Sequence, residues 1–155
     1  MIIVGYYGVG KTTLCKNVAT NIDLDCISAD PSPVVVDAYA DMIKSMNEDG
    51  YDVFIQSNEQ LIRTLCKLGL REQILIVTPG YSLKEQWATK LCEQYDTSET
   101  SASLRSLLVS TSNYNAATAD LLALAFELNV MVYCIINMDY KLEKIVNKYK
   151  EMISK

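Results

Sequence analysis

Gly5-Tyr6-Tyr7-Gly8-Val9-Gly10-Lys11-Thr12 constrains what this chain can fold into more than any other stretch of it. The run fits G-x-x-x-x-G-K-[ST]. An apolar stretch, Ile2 to Val4, leads into it. A helix-period segment, Lys11 to Thr20, leads out of it, with Leu14, Val18 and then Ile22 on one face. Glycine admits backbone geometry that other residues resist, so successive N–H groups can turn into one concavity. The start of a helix adds partial positive charge beneath it. A polyphosphate is the ligand such a nest fits. Gly5, Gly8, Val9, Gly10, Lys11, Thr12 and Thr13 are therefore the expected cofactor-binding residues. Lys11 is suited to bridge β- and γ-phosphates and the Thr12 hydroxyl to ligate a metal, which makes ATP and Mg²⁺ the expected cofactors.

Beyond the loop, apolar runs of strand length alternate with helical periodicity. The expected strands are Ile2 to Val4, Leu24 to Ile27, Val53 to Gln56, Ile74 to Val77 and Val130 to Ile136. They read as near-continuous apolar runs, the pattern of a parallel sheet covered on both faces. Ser32 followed by Pro33 predicts a helix start, and Val35, Tyr39, Met42 and Met46 repeat behind it up to Gly50. Ser57 with Gln60 and Ser82 with Glu85 fit capping boxes. Leu142, Ile145, Val146, Tyr149 and Met152 form the stripe of a last helix. Repeated strand–helix units with right-handed crossovers make a doubly wound α/β fold. Trp87 and Leu91 sit one helical turn apart and read as core. The 155 residues suit one domain, 1–155, with a Ser/Thr-rich segment at about 96–113 as an expected lid.

Composition removes whole classes of chemistry. The chain has no histidine, which excludes a Ser-His-Asp triad, a Cys-His pair and every histidine-ligated metal. Its net charge of −5 argues against a nucleic-acid partner, which needs clustered Lys and Arg. The five cysteines are scattered and never spaced C-x-x-C, so neither a disulfide framework nor a zinc site is expected. The start lacks the features of a signal peptide. The longest apolar region, Leu121 to Ile136, is broken by Glu127 and Asn129 and should not span a bilayer. A cytoplasmic protein without a membrane partner is the expectation.

In an open parallel sheet ligands bind outside the carboxyl ends of the strands. The residues there are the phosphate loop, Cys26 to Asp30 with Asp23 and Asp25 just before, Ser57-Asn58-Glu59, Thr78-Pro79-Gly80 and Asn137-Met138-Asp139. With the Gly5–Thr12 loop, the Asp23-Leu24-Asp25 element and the run Tyr51-Asp52-Val53, the chain resembles the small P-loop kinases of the nucleoside-monophosphate-kinase type. Compact nucleotide-kinase-like proteins of phages and bacteria are the nearest group. The resemblance implies a three-layer α/β/α P-loop NTPase fold with a five-stranded parallel sheet. It also implies phosphoryl transfer from ATP to a small-molecule acceptor, a nucleotide or nucleoside.

Carried over by position, the family's roles make Lys11, Asp25 and Arg105 the catalytic residues and Thr12 and Asp25 the metal residues. Asp25 would reach magnesium or orient the acceptor hydroxyl, with Asp30 before Pro31 as the substitute or a mere turn residue. Arg105, in the Ser/Thr-rich segment, would stabilise the transferring group, supported by Lys84 and Lys90. Two departures stand out. The strand Val53 to Gln56 is followed by Ser57, where a Walker B aspartate is expected, and arginines are few: Arg63, Arg71 and Arg105. These favour an alternative, an ATP-binding interaction protein or weak ATPase. A third reading places the acceptor hydroxyl on DNA or RNA. Asn137-Met138-Asp139 is not a guanine-reading Asn-Lys-x-Asp motif. Tyr6 and Tyr7 are bulky for the loop, and one of them would flank a nucleotide or pack at the surface.

Overall fold

The computed structural model describes residues 1–24, 32–98, 104, 107–108 and 112–154. Its sheet has five parallel strands: β1 (Ile2–Gly5), β2 (Asn21–Leu24), β3 (Asp52–Gln56), β4 (Ile74–Pro79) and β5 (Met131–Ile135), in the order β2-β3-β1-β4-β5. The helices are α1 (Lys11–Asn17), α2 (Pro33–Glu48), α3 (Glu59–Lys67), α4 (Lys84–Ser98), α5 (Tyr114–Leu128) and α6 (Leu142–Ile153). On the sheet, α2 packs against α3 and α3 against α5, while α1 lies alongside α6. This is a three-layer α/β/α P-loop NTPase fold.

The chain order places the site. From β1 the chain runs to β2 on one side, and from β4 it runs to β5 on the other. Connections leaving these two neighbours in opposite directions open a crevice at their carboxyl ends. Gly5 closes β1 there, in register with Gln56 of β3 and Val77 of β4.

The three central strands are buried almost without exception, as their unbroken apolar runs require. The two edges differ from expectation. β2 begins at Asn21, ahead of the expected Leu24, and its alternation Asn-Ile-Asp-Leu is that of a half-buried edge strand, which a search for continuous apolar runs overlooks. On β5, Met131, Tyr133 and Cys134 are exposed, because an edge strand has a neighbour on one side alone. The apolar stretch Leu121 to Ile136 divides into α5 and β5 at Asn129, whose left-handed φ of 51° ends the helix. Among the described residues no helix is long and apolar enough to cross a membrane.

Helix ends follow local chemistry with some exceptions. Ser32 is the N-cap of α2 and Pro33 its first residue, without a capping hydrogen bond from the serine side chain. α1 stops at Asn17, short of the expected Thr20, because Val18 is already extended. Asn58, not Ser57, caps α3, accepting from the Leu61 N–H at 3.0 Å. Ser82 lies in a 3₁₀ turn, Tyr81–Leu83, that feeds α4 instead of capping it. Met152, expected on the core stripe, is 53% exposed where α6 runs off the sheet.

Two polar ties brace the layers. Arg63 of α3 grips Glu127 of α5 with both guanidinium nitrogens, at 2.6 and 2.8 Å, and bonds Glu59 in its own helix. Lys150 of α6 pairs with the nearly buried Asp52 at the start of β3.

A core built on the buried central strands predicts a sharp contrast. Phe54→Ala, at a fully buried site, should cost about 3–5 kcal/mol in urea unfolding. Phe126→Ala, at a side chain 91% exposed, should change stability by less than about 0.5 kcal/mol.

Candidate functional site: a phosphate-binding loop

Gly5 leaves β1 into the loop because no other residue fits. A Cβ there would stand 2.7 Å from Val9 Cγ2 and 2.8 Å from Lys11 Cδ. The Tyr6 N–H still bonds the Val77 carbonyl at 3.0 Å, so the loop starts as a continuation of the sheet. The chain then turns through Gly8 and Gly10 at φ of 79° and 99°, a region that side chains resist. The first intrahelical bond of α1 runs from the Leu14 N–H to the Gly10 carbonyl, so helix geometry supplies no partner for the N–H groups of Thr12 and Thr13. Val9 is buried and pins the loop from below.

Lys11 is 5% exposed and its Nζ donates to the Gly5 carbonyl at 3.2 Å. The ammonium thus lies folded across the loop it serves. Thr12 Oγ1 donates to Asp23 Oδ2 of β2 at 2.6 Å. The second oxygen, Asp23 Oδ1, is buried and makes no hydrogen bond. A carboxylate oxygen in that condition is costly unless a cation or donor completes it. The bond also turns the Thr12 proton toward Asp23 and leaves the hydroxyl lone pairs for a hard cation, which prefers oxygen ligands. Together with the Gly5 cradle, these residues fit a nucleoside triphosphate and its Mg²⁺, held by Thr12 with Asp23 behind it.

The loop is gripped from outside by aromatic side chains far away in the chain. Trp87 Nε1 on α4 donates to the Tyr7 carbonyl at 2.8 Å. Tyr140 Oη, just before α6, donates to the Gly8 carbonyl at 3.3 Å. Leu91 packs against Gly8 so closely that a Cβ on the glycine would meet its Cδ2 at 2.7 Å. Tyr6 is buried, edge-on to Tyr7 and to Tyr114 with centroids 5.9 Å apart in each pair, so it neither flanks a ligand nor packs at the surface. Trp87 and Leu91 are core as expected, but the tryptophan's grip on the loop had no local signal.

The remaining expected residues fall in three groups. Asp25, Asp30 and Arg105 lie outside the described residues, as does most of the expected lid; Asp96 and Thr97 continue α4. Arg63 is engaged between α3 and α5, and Arg71 precedes β4 at the end of the sheet opposite the loop. Lys84 is exposed at the start of α4. Lys90, expected with it to support Arg105, packs behind the loop, where burial pushes its ammonium down to about 8. At the end of β3, Gln56 stands opposite Gly5, Asn58 is used in capping and Glu59 is bonded to Arg63. The carboxylate beside Thr12 comes from β2 instead. Asp23 could have been found by reading β2 as an alternating strand.

The loop predicts two distinguishable glycine variants. Gly5→Ala should displace Lys11 and reduce ATP affinity at least ten-fold by calorimetry, roughly the worth of one charged contact. Gly10→Ala meets no atom within 4 Å, so its cost should be backbone strain of about 1–2 kcal/mol in unfolding experiments.

Comparison with known proteins agrees with this geometry at the level of the family. No curated protein matches the chain significantly. The family model of the ATPase family associated with various cellular activities (AAA) matches residues 1–132, a span that takes in the loop, the Thr12–Asp23 pair and strands β1 to β4. The chain, an ATP-binding P-loop NTPase domain, belongs to the AAA family.

Proposed function

We propose that the chain is an ATP-dependent phosphotransferase that moves the γ-phosphoryl group to a small acceptor, a nucleotide or nucleoside. The observation that carries this reading is the Thr12–Asp23 pair, with a second carboxylate, Asp25, directly after β2.

Bound ATP supplies the transferable phosphoryl group, and Mg²⁺ neutralises its charge. The loop N–H groups and Lys11 orient the phosphates. Asp23 keeps the Thr12 hydroxyl aimed at the metal position. Asp25 takes the proton from the acceptor hydroxyl as its oxygen bonds to the γ-phosphorus and the bond to the β-bridging oxygen breaks, releasing ADP. Such transfer needs positioning and charge stabilisation more than covalent chemistry. With Arg63 and Arg71 placed elsewhere, Arg105 is the arginine left to stabilise the transferring group. The residues at about 96–113 are its lid in this reading, and an acidic chain of net charge −5 suits a small acceptor better than a polymer.

Membership of the AAA family favours a second reading, in which water is the acceptor and the chain is a weak ATPase. ADP formation measured against a panel of nucleosides and nucleoside monophosphates separates the two. The transferase reading expects turnover stimulated by one acceptor class, with a phosphorylated product. ADP release that no acceptor stimulates, with stoichiometric inorganic phosphate, would replace it with the ATPase reading.

The role given to Asp23 has its own test. Asp23→Asn should lose most of the Mg²⁺-dependent gain in ATP affinity, roughly ten-fold, and leave Mg²⁺-free binding unchanged. Titrations with Mg²⁺ and with EDTA measure the difference.

A further inference from the structure

A cation stands behind the phosphate loop where no local motif calls for one. Lys90 Nζ lies 4.5 Å from the Trp87 ring centre and 4.9 Å from that of Tyr140. The two rings are stacked, 5.9 Å apart at an interplanar angle of 19°. The same ammonium donates to Tyr140 Oη at 2.7 Å, and Tyr140 Oη donates onward to the Gly8 carbonyl at 3.3 Å. Among the described residues no carboxylate pairs with Lys90. Its partners are two aromatic faces and one phenol.

Each member of this chain acts on the next. A hydroxyl that accepts from an ammonium becomes a better donor, so the charge of Lys90 strengthens the bond on Gly8. A peptide unit is planar, with its N–H opposed to its C=O. Trp87 on the Tyr7 carbonyl therefore orients the Gly8 N–H, and Tyr140 on the Gly8 carbonyl fixes the next plane, whose Val9 N–H closes the turn onto the Tyr6 carbonyl at 3.3 Å. These bonds hold two successive peptide planes of the loop.

A half-buried ammonium without a counter-charge is an expense to the fold. Desolvation disfavours it, and this is also what lowers its proton affinity. Cation–π contacts offset part of that cost. A polyphosphate bound in the loop that Tyr140 touches would supply the compensating charge.

We propose that Lys90 is a positioning residue of the phosphate site: through Tyr140 it holds the Gly8 peptide in the binding geometry, and its charge, unpaired among the described residues, is balanced by the anion bound in the loop. The proposal rests on polyphosphate binding at Gly5–Thr12, and the test keeps the two apart. It predicts that Lys90 is retained at the expense of stability, the opposite of a packing residue.

Inorganic tripolyphosphate and ATP are titrated into the full chain by calorimetry, with the fluorescence of Trp87, the one tryptophan, as a second signal. Lys90→Met keeps the stem and removes the charge, and Tyr140→Phe keeps the ring and removes the relay. Each should weaken tripolyphosphate binding roughly ten-fold. The double variant should be little weaker than the worse single one, because both act on one chain of bonds. Lys90→Arg should restore most of the affinity, and Lys90→Met should melt at or above the wild-type temperature. Wild-type tripolyphosphate affinity in Lys90→Met, with Lys11→Ala failing to bind, would overturn the proposal and leave the loop assignment standing. So would weakened binding accompanied by a lower melting temperature and no rescue by arginine, which describes a packing residue. Undiminished binding in Lys11→Ala would remove the loop as the site and the proposal with it.

Discussion

At Gly5 and Gly8 the chain passes through spaces in which a single additional carbon would stand 2.7 Å from a neighbour. The neighbours differ. At Gly5 they are Val9 and Lys11, parts of the loop itself; at Gly8 it is Leu91, from a helix that begins after β4. The loop is thus closed on itself at one end and seated on α4 at the other. The site depends on both contacts, because Lys11 reaches the Gly5 carbonyl only across an empty Cβ position. Trp87 reaches the Tyr7 carbonyl from the helix that Leu91 holds in place.

The sheet converts these contacts into a ligand site. β1 lies in the middle of five parallel strands, so the loop emerges from the centre of the sheet with β3 and β4 on either side. Among the described residues the edge strand β2 carries the carboxylate that meets Thr12, and a short α1 brings that threonine to it. Charge elsewhere is used to brace. Arg63 joins α3 to α5 and Lys150 joins α6 to β3, well away from the loop. Lys90 belongs to neither group, being a cation held by aromatic rings beside the phosphate site.

Legibility followed the range of the interaction. The loop, the central strands and the start of α2 at Ser32-Pro33 are local patterns, and they read correctly. β2 was misplaced because its polar and apolar residues alternate, and that displacement hid Asp23, which lies inside the strand instead of before it. Tyr6 read as a residue at the ligand or at the surface because nothing near it in sequence announces Tyr114. Lys90 read as a helper of the expected lid arginine because one helix turn carries no sign of the ring it will meet. Tyr140 lies far along the chain, past β5.

By itself the sequence determined that this chain makes a parallel α/β sheet with a phosphate loop at the end of its first strand. Hydrophobic period, glycine position and the Gly-Lys-Thr run are all set by residues within a few positions of one another. Tertiary structure alone decided which carboxylate stands behind Thr12, which arginines are spent on bracing and what holds the loop in shape. Those choices rest on contacts between residues 11, 64, 80 and 132 positions apart, whose partners become neighbours only when the strands take their order in the sheet.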